Sequence, residues 1–323
     1  MTDKELKIAI VGPGAMGCLL AAHLRHLGID VWLIDYNEQR VNYLSRHPIV
    51  IEREGAQKAL SVDVPIHLAG QSAPPPDWIV LFVKAYATKE AIDSIAHLIN
   101  KETKLLSLQN GIGYDQLLSS VADQEQIALG ITTQGAILKK WGEVVHAGVG
   151  PTFIGPASAS PSSTMLEALD HLSKVMSDAA WQTSVTTSIH SKLWQKLFIN
   201  IGINAITAML CVSNGRLLDI PEAVKIQKMA IEEAWHIAKK AGIDTKITLS
   251  EAISLVRKIC NETGHNHSSM LQDRLKNRPT EINVINGAIV KLARQIGAEA
   301  PVNETITLLI KSYEKTGWQT DCE

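Results

Sequence analysis

The chain has 323 residues, about twice the ~150 residues of a typical domain, so two domains are expected. Hydrophobic residues make up 46% and charged residues 20%, a globular balance that excludes a disordered or collagen-like chain. Lys plus Arg total 31 against 33 for Asp plus Glu, a net charge of −2, which gives no general attraction to nucleic acid or to an anionic membrane. The first apolar run, Ile8 to Val11, is too short for the roughly 7–15-residue apolar core of a secretion signal. No stretch reaches the ~18 apolar residues of a membrane helix. The cysteines, Cys18, Cys211, Cys260 and Cys322, are far apart and form no CxxC or Cys/His ligand spacing. They are expected to be reduced thiols of a cytoplasmic protein, and no metal site is expected.

In chain order, Lys7–Val11 is a short β-branched run that reads as a buried strand. It enters Gly12-Pro13-Gly14-Ala15-Met16-Gly17 and a helical pattern from Ala15 to Leu27, with Leu19, Leu20, His23, Leu24 and Leu27 on one broad face and Gly28 as its stop. Asp30–Asp35 reads as a second strand. Trp78–Lys84 is a nearly continuous apolar run, as in a parallel strand buried on both faces. Leu105–Leu108, Ile127–Thr133, Val144–Ile154 and Trp181–Val185 are further strands, with a helix at Met165–Met176. After about Ile189 the pattern turns helical: Ser191–Leu210, Pro221–Ala241, Leu249–Asn261, Thr280–Ile296 and Glu304–Thr316. The expected architecture is an α/β N-terminal domain with a parallel sheet over residues 1–187, followed by an all-α C-terminal domain over 188–323.

Gly12, Gly14 and Gly17 match the Rossmann dinucleotide fingerprint, sited between a strand and a helix. The first glycine allows the tight turn, the second lets a pyrophosphate approach, and the third permits close helix–strand packing. Ala15 and Met16 open the helix whose N–H groups would face the phosphates. Asp35 ends the second strand, where a carboxylate accepts hydrogen bonds from the adenosine ribose and repels a 2′-phosphate, favouring NADH. Arg40 lies close enough in sequence to offer a 2′-phosphate a partner.

Within the apolar helix 191–210, Lys196, Asn200 and Asn204 recur every four residues. At ~100° per residue they form one polar stripe about 12 Å long. Such groups need partners when buried, and a small polar substrate along the stripe would supply them. A lysine in such a pocket can have its pKa lowered toward neutrality and donate a proton, as reduction of a ketone requires.

With these motifs the chain resembles the ketopantoate reductase family over almost its whole length. The resemblance rests on the glycine motif, Val83-Lys84-Ala85, Gln109-Asn110-Gly111, Trp194-Gln195-Lys196-Leu197 with Asn200 and Asn204, Asn214-Gly215, Ser268 to Asp273, and Thr280-Glu281-Ile282 with Ile285-Asn286-Gly287. It implies that Lys196 is the proton donor and that Glu281 sits by that lysine and the cofactor ribose. It places Asn110 between nicotinamide ribose and substrate, Lys84 and Ala136 along the cofactor, and Asn200, Asn204, Asn214, Asn266 and Ser269 around the substrate. The implied reaction is reduction of 2-dehydropantoate to pantoate with NAD(P)H, on the route to pantothenate and coenzyme A. Two positions depart from the family's usual pattern: Asp35 stands where an Arg commonly binds the 2′-phosphate of NADPH, the family's default, and Asn283 stands where many members have Asp. The alternatives are a dehydrogenase for another small 2-oxo or 3-hydroxy acid and, more remotely, a non-enzymatic nicotinamide sensor, which has no need of the Lys–Asn–Asn stripe. A small-molecule substrate is the expected partner, and the helical domain is compatible with a homodimer.

Overall fold

The computed structural model describes residues 6–53, 58–71 and 73–318. Two compact units divide the chain: residues 1–109 with 114–189, and residues 110–113 with 190–323.

In the first unit, an eight-stranded sheet is built from β1 (Lys7–Val11), β2 (Asp30–Asp35), β5 (Ile66–Leu68), β6 (Trp78–Leu81), β7 (Lys104–Ser107), β8 (Ile127–Thr132), β11 (Thr152–Pro156) and β12 (Thr183–Val185). A second, four-stranded sheet holds β3 (Ile49–Arg53), β4 (Leu60–Val62), β9 (Gly135–Lys140) and β10 (Glu143–Gly148). The spatial order of the large sheet is β12-β11-β8-β7-β6-β1-β2-β5, parallel except where β11 meets β8. The chain runs outward from β1 in both directions, through β2 on one side and β6 on the other. Open α/β sheets bind ligands at such a switch point, outside the carboxyl ends of the strands. The apolar β1 and β6 are buried along almost their whole length, as the continuous hydrophobic runs require.

Helix α1 (Ala15–His26) packs on the large sheet and also against the strands of the small one. That double burial explains why Cys18, Leu19, Leu20, Ala21, Ala22 and Leu24 are all buried, rather than a single face, while Leu27 beyond the helix end is exposed. The first unit also carries α2 (Glu38–Leu44), α3 (Thr88–Ile95), α4 (Tyr114–Leu118) and α5 (Ser163–Asp178). The stretch expected as one strand, Val144–Ile154, is two strands in different sheets, β10 and β11, because Gly148, Gly150 and Pro151 interrupt it.

In the second unit, α6 (Ile189–Leu210) is followed by α7 (Pro221–Lys240), α8 (Leu249–Glu262), α9 (Ser269–Leu275), α10 (Asn286–Gln295) and α11 (Pro301–Thr316). Leu197, Phe198, Ile201 and Ala205 of α6 pack in one core with Ile231, Val256, Met270, Ile289 and Ile306 from the helices around it. The expected continuous helix 280–296 does not form. A single 3₁₀ turn, Ile282–Val284, follows Glu281, and Ile285 (φ −107°, ψ −97°) breaks the chain before α10. Among the described residues, no helix is long and apolar enough to cross a membrane. Cys18 and Cys260 are buried free thiols. Cys211 is disulfide-bonded, which corrects the expectation of reduced thiols at that position; Cys322 lies outside the described residues.

Candidate active site

The first unit presents a dinucleotide cradle at the end of β1. Gly12 takes φ +100°, and a Cβ there would lie 2.9 Å from Val83 Cγ1. A Cβ on Gly17 would overlap the carbonyl oxygen of Gly12. Around Gly14, by contrast, the space where a Cβ would stand is open to 4 Å. The three glycines therefore serve turn, approach and packing as the motif requires. Ala15 and Met16 form the first turn of α1, whose N-terminus has no side-chain cap and no acidic residue. Its N–H groups and positive dipole end are left for an anion such as a diphosphate. Lys84 follows β6, half-buried, and begins a 3₁₀ turn, Ala85–Ala87. Gln109, whose part sequence reasoning missed, locks that loop: its Nε2 donates to Val83 O (2.8 Å) and to Thr88 Oγ1 (2.7 Å), and its Oε1 accepts from Ser107 (3.0 Å). Ala136 lies in β9, opposite His146, half-buried against the core of the unit.

Gly12 N–H donates to Ile34 O (3.0 Å), which ties the glycine turn to the end of β2 beside Asp35. The Asp35 carboxylate is not free. Arg40 grips it bidentately, Nε to Oδ2 and Nη2 to Oδ1 (2.7 Å), and the Asn37 N–H reaches Oδ1 at 3.3 Å. Asn37 also caps α2 by accepting from Arg40 N–H, which fixes the turn that aims Arg40 back. Burial pushes the neighbouring Cys18 thiol up to about 12, so it is inert.

The second unit gathers the lysine, the carboxylate and the asparagines expected at the site. Asn110 Nδ2 donates to Glu281 Oε2 at 3.2 Å. Gly111 makes this approach possible: at φ +98° it lies so close to Val284 that a Cβ would stand 2.5 Å from Val284 O. Glu281 is buried, and the backbone on either side of it is anchored by Thr280 N–H donating to Glu314 Oε1 (2.7 Å) and Ile282 N–H to Thr280 Oγ1 (3.3 Å). Burial pushes the Lys196 ammonium down to about 8, and the Glu281 carboxylate opposes that fall. Along α6, Asn204 is buried and donates to Ser269 Oγ at 3.3 Å. Asn200, one turn from Lys196 on the same helix, is half-buried. Thr207 of α6 bonds Ser268, whose hydroxyl caps α9 through Leu271 N–H and so places Ser269. Asn214 donates from Nδ2 to Thr263 Oγ1 (2.9 Å) and from its backbone N–H to Asn266 O (3.0 Å), while its buried Oδ1 accepts nothing among the described residues. Asn266 thus takes part through its carbonyl, and its side chain is exposed.

The structure brings Asn110, Glu281 and Lys196 together, pairs Asn204 with Ser269, and joins Asn214 to the Asn266 loop. A glycine-turn nucleotide fold in the first unit, with a lysine near a buried carboxylate in the second, fits a nicotinamide-dependent oxidoreductase. Residues 8–159 match the ketopantoate reductase PanE/ApbA family and residues 188–314 match its C-terminal domain. The chain belongs to the ketopantoate reductase family. The 2-dehydropantoate 2-reductase of Pyrococcus horikoshii is 33% identical over 97% of this chain and 99% of that protein. The 2-dehydropantoate 2-reductase of Archaeoglobus fulgidus is 30% identical, over 95% of this chain and 98% of that protein. A solved D-mandelate dehydrogenase, in complex with NADH and anilino(oxo)acetate, superposes with a TM-score of 0.89 at 28% identity, covering 96% of this chain and 99% of its own.

Proposed function

We propose that this chain reduces 2-dehydropantoate to pantoate. When bound, the reduced nicotinamide supplies a hydride to the 2-oxo carbon. The carbonyl π pair then moves onto oxygen, and Lys196 Nζ gives that oxygen a proton. The observation that carries this reading is the half-buried Lys196 of α6 set near the buried Glu281 carboxylate, a setting in which desolvation lowers the ammonium to about 8. Near neutral pH it is still charged, yet it is a far better acid than a solvated lysine. Glu281 holds the lysine in position and bonds a substrate hydroxyl. Asn110 serves both ribose and substrate. Asn200, Asn204, Ser269 and the Asn214–Asn266 loop bind substrate oxygen atoms. The orphaned Asn214 Oδ1 suits a hydroxyl donor such as the one on the pantoate side chain.

The fit of the dinucleotide rests on the open space at Gly14 and the uncapped N-terminus of α1. Gly12, Gly14, Ala15, Met16 and Gly17 would hold the diphosphate. Asp35 would face the adenosine ribose, with Lys84, Asn110, Ala136 and Glu281 along the nicotinamide half. A bare Asp35 would favour NADH; Arg40 offsets that charge and moderates the preference. Use of reduced nicotinamide supports a cytoplasmic setting for the protein. The exposed Leu308, Leu309 and Tyr313 of α11 support self-association through the helical unit, which light scattering of the purified protein tests.

A second reading, a dehydrogenase for a different 2-oxo acid, draws support from the likeness to the mandelate enzyme. Turnover with a panel of 2-oxo acids separates the two. The proposal requires kcat/KM to be highest for 2-dehydropantoate, and higher values for an aryl or unsubstituted 2-oxo acid contradict it. No turnover of any 2-oxo acid would return the sensor reading.

A further inference from the structure

Resting on the dinucleotide reading of the first unit, we infer that Arg40 is the residue that sets cofactor specificity: its guanidinium, held by Asp35, stands with that carboxylate at the adenosine ribose and takes the 2′-phosphate of NADPH. The Asp35 side chain is 1% exposed and Arg40 covers it, itself 21% exposed. Oδ1 already accepts from Arg40 Nη2 and Asn37 N–H, and Oδ2 accepts from Nε. The carboxylate therefore keeps only one lone-pair direction, on Oδ2, for a ribose hydroxyl.

A guanidinium has five N–H donors in a fixed fork. Nε–H and one Nη2–H are spent on Asp35, and the guanidinium makes no other hydrogen bond among the described residues. The Nη1 donors and the second Nη2–H remain, the geometry that suits phosphate oxygens. Tyr36, 71% exposed, stands beside this group with its ring centroid 6.0 Å from the guanidinium carbon. It offers a surface over which an adenine could lie. The pair therefore works as one composite subsite: Asp35 aims and neutralises Arg40 without consuming its outward donors, and the repulsion a lone carboxylate would exert on a 2′-phosphate is cancelled.

Isothermal titration with NAD⁺ and NADP⁺, without substrate, tests this. Arg40→Gln should weaken NADP⁺ by about tenfold or more while NAD⁺ changes by less than about threefold. A parallel loss of both affinities, or no loss for NADP⁺, would overturn the inference and leave Arg40 a structural partner of Asp35. Arg40→Gln also strands a buried carboxylate. The comparison is therefore repeated in an Asp35→Asn background, where adding Arg40→Gln should again cost NADP⁺ selectively; equal affinities there contradict the inference. If the unmodified protein binds neither dinucleotide, the dinucleotide reading itself fails, a result visible before any substitution is made.

Discussion

The two units carry their functions by different means. In the first, function resides in backbone: glycines without side chains, an uncapped helix end and the carboxyl edge of a sheet. In the second, it resides in side chains delivered by separate segments to one lysine. Asn110 and Glu281 are 171 residues apart in sequence. At Gly12 and Gly17 the backbone site tolerates no added atom. Side-chain sites lose one chemical step at a time, with the fold intact. Substitutions in the two units should therefore differ in kind as well as in size.

The sharpest contrast is expected at Lys196. Lys196→Ala should lower kcat by about 10²–10⁴, the range for loss of a general acid, and leave dinucleotide affinity nearly unchanged. Steady-state kinetics together with fluorescence quenching by NADH check both parts. Loss of cofactor binding with normal turnover at saturation would erase the distinction between the units.

Gly17→Ala should do the reverse. The added Cβ collides with the Gly12 carbonyl, a backbone atom that cannot rotate away. Overpacking of this sort costs about 1–3 kcal/mol of stability, and dinucleotide binding should fall with it. Thermal unfolding and titration of NADH read the two effects; an unchanged affinity would mean that the turn is no part of the site.

Ser269→Ala should give the smallest change, because it removes one hydrogen bond from Asn204, worth about 0.5–1.5 kcal/mol. The expected result is a KM several-fold higher with kcat nearly constant, the pattern of lost uniform binding. A fall in kcat alone would put Ser269 in the chemistry rather than in binding.

The same contrast explains what was legible in the sequence. The glycine turn and β1, β2 and α1 could be read because their signals are local, and Asp30–Asp35 forms a strand over those very residues. Three strands of the small sheet were missed because β4 has three residues, β3 ends in Glu52-Arg53, and β9 ends in Lys139-Lys140, too short or too polar to stand out. In the second unit the helical period exposed Lys196, Asn200 and Asn204. Nothing local marks Glu281, which owes its burial to Asn110 and to a break at Ile285. Its apolar neighbours Ile282, Ile285, Ala288 and Ile289 carry a helical spacing that masks the break. The grip of Arg40 on Asp35 was likewise hidden, because it depends on the Asn37-capped turn into α2.

The central claim is that Lys196 is the acid, its pKa lowered by burial and partly restored by Glu281. It is tested most directly by the pH dependence of kcat/KM for reduction of 2-dehydropantoate, which reports groups of the free enzyme. Burial lowers the ammonium to about 8 and Glu281 raises it. Below that pH the lysine carries its proton and can donate it; above it, the proton is gone. The rate should therefore fall above about pH 8 in the unmodified protein, and in Glu281→Gln the fall should begin at lower pH, because the carboxylate that favours the charged lysine has been removed. A profile flat through the alkaline range, or a shift to higher pH in Glu281→Gln, would contradict the assignment.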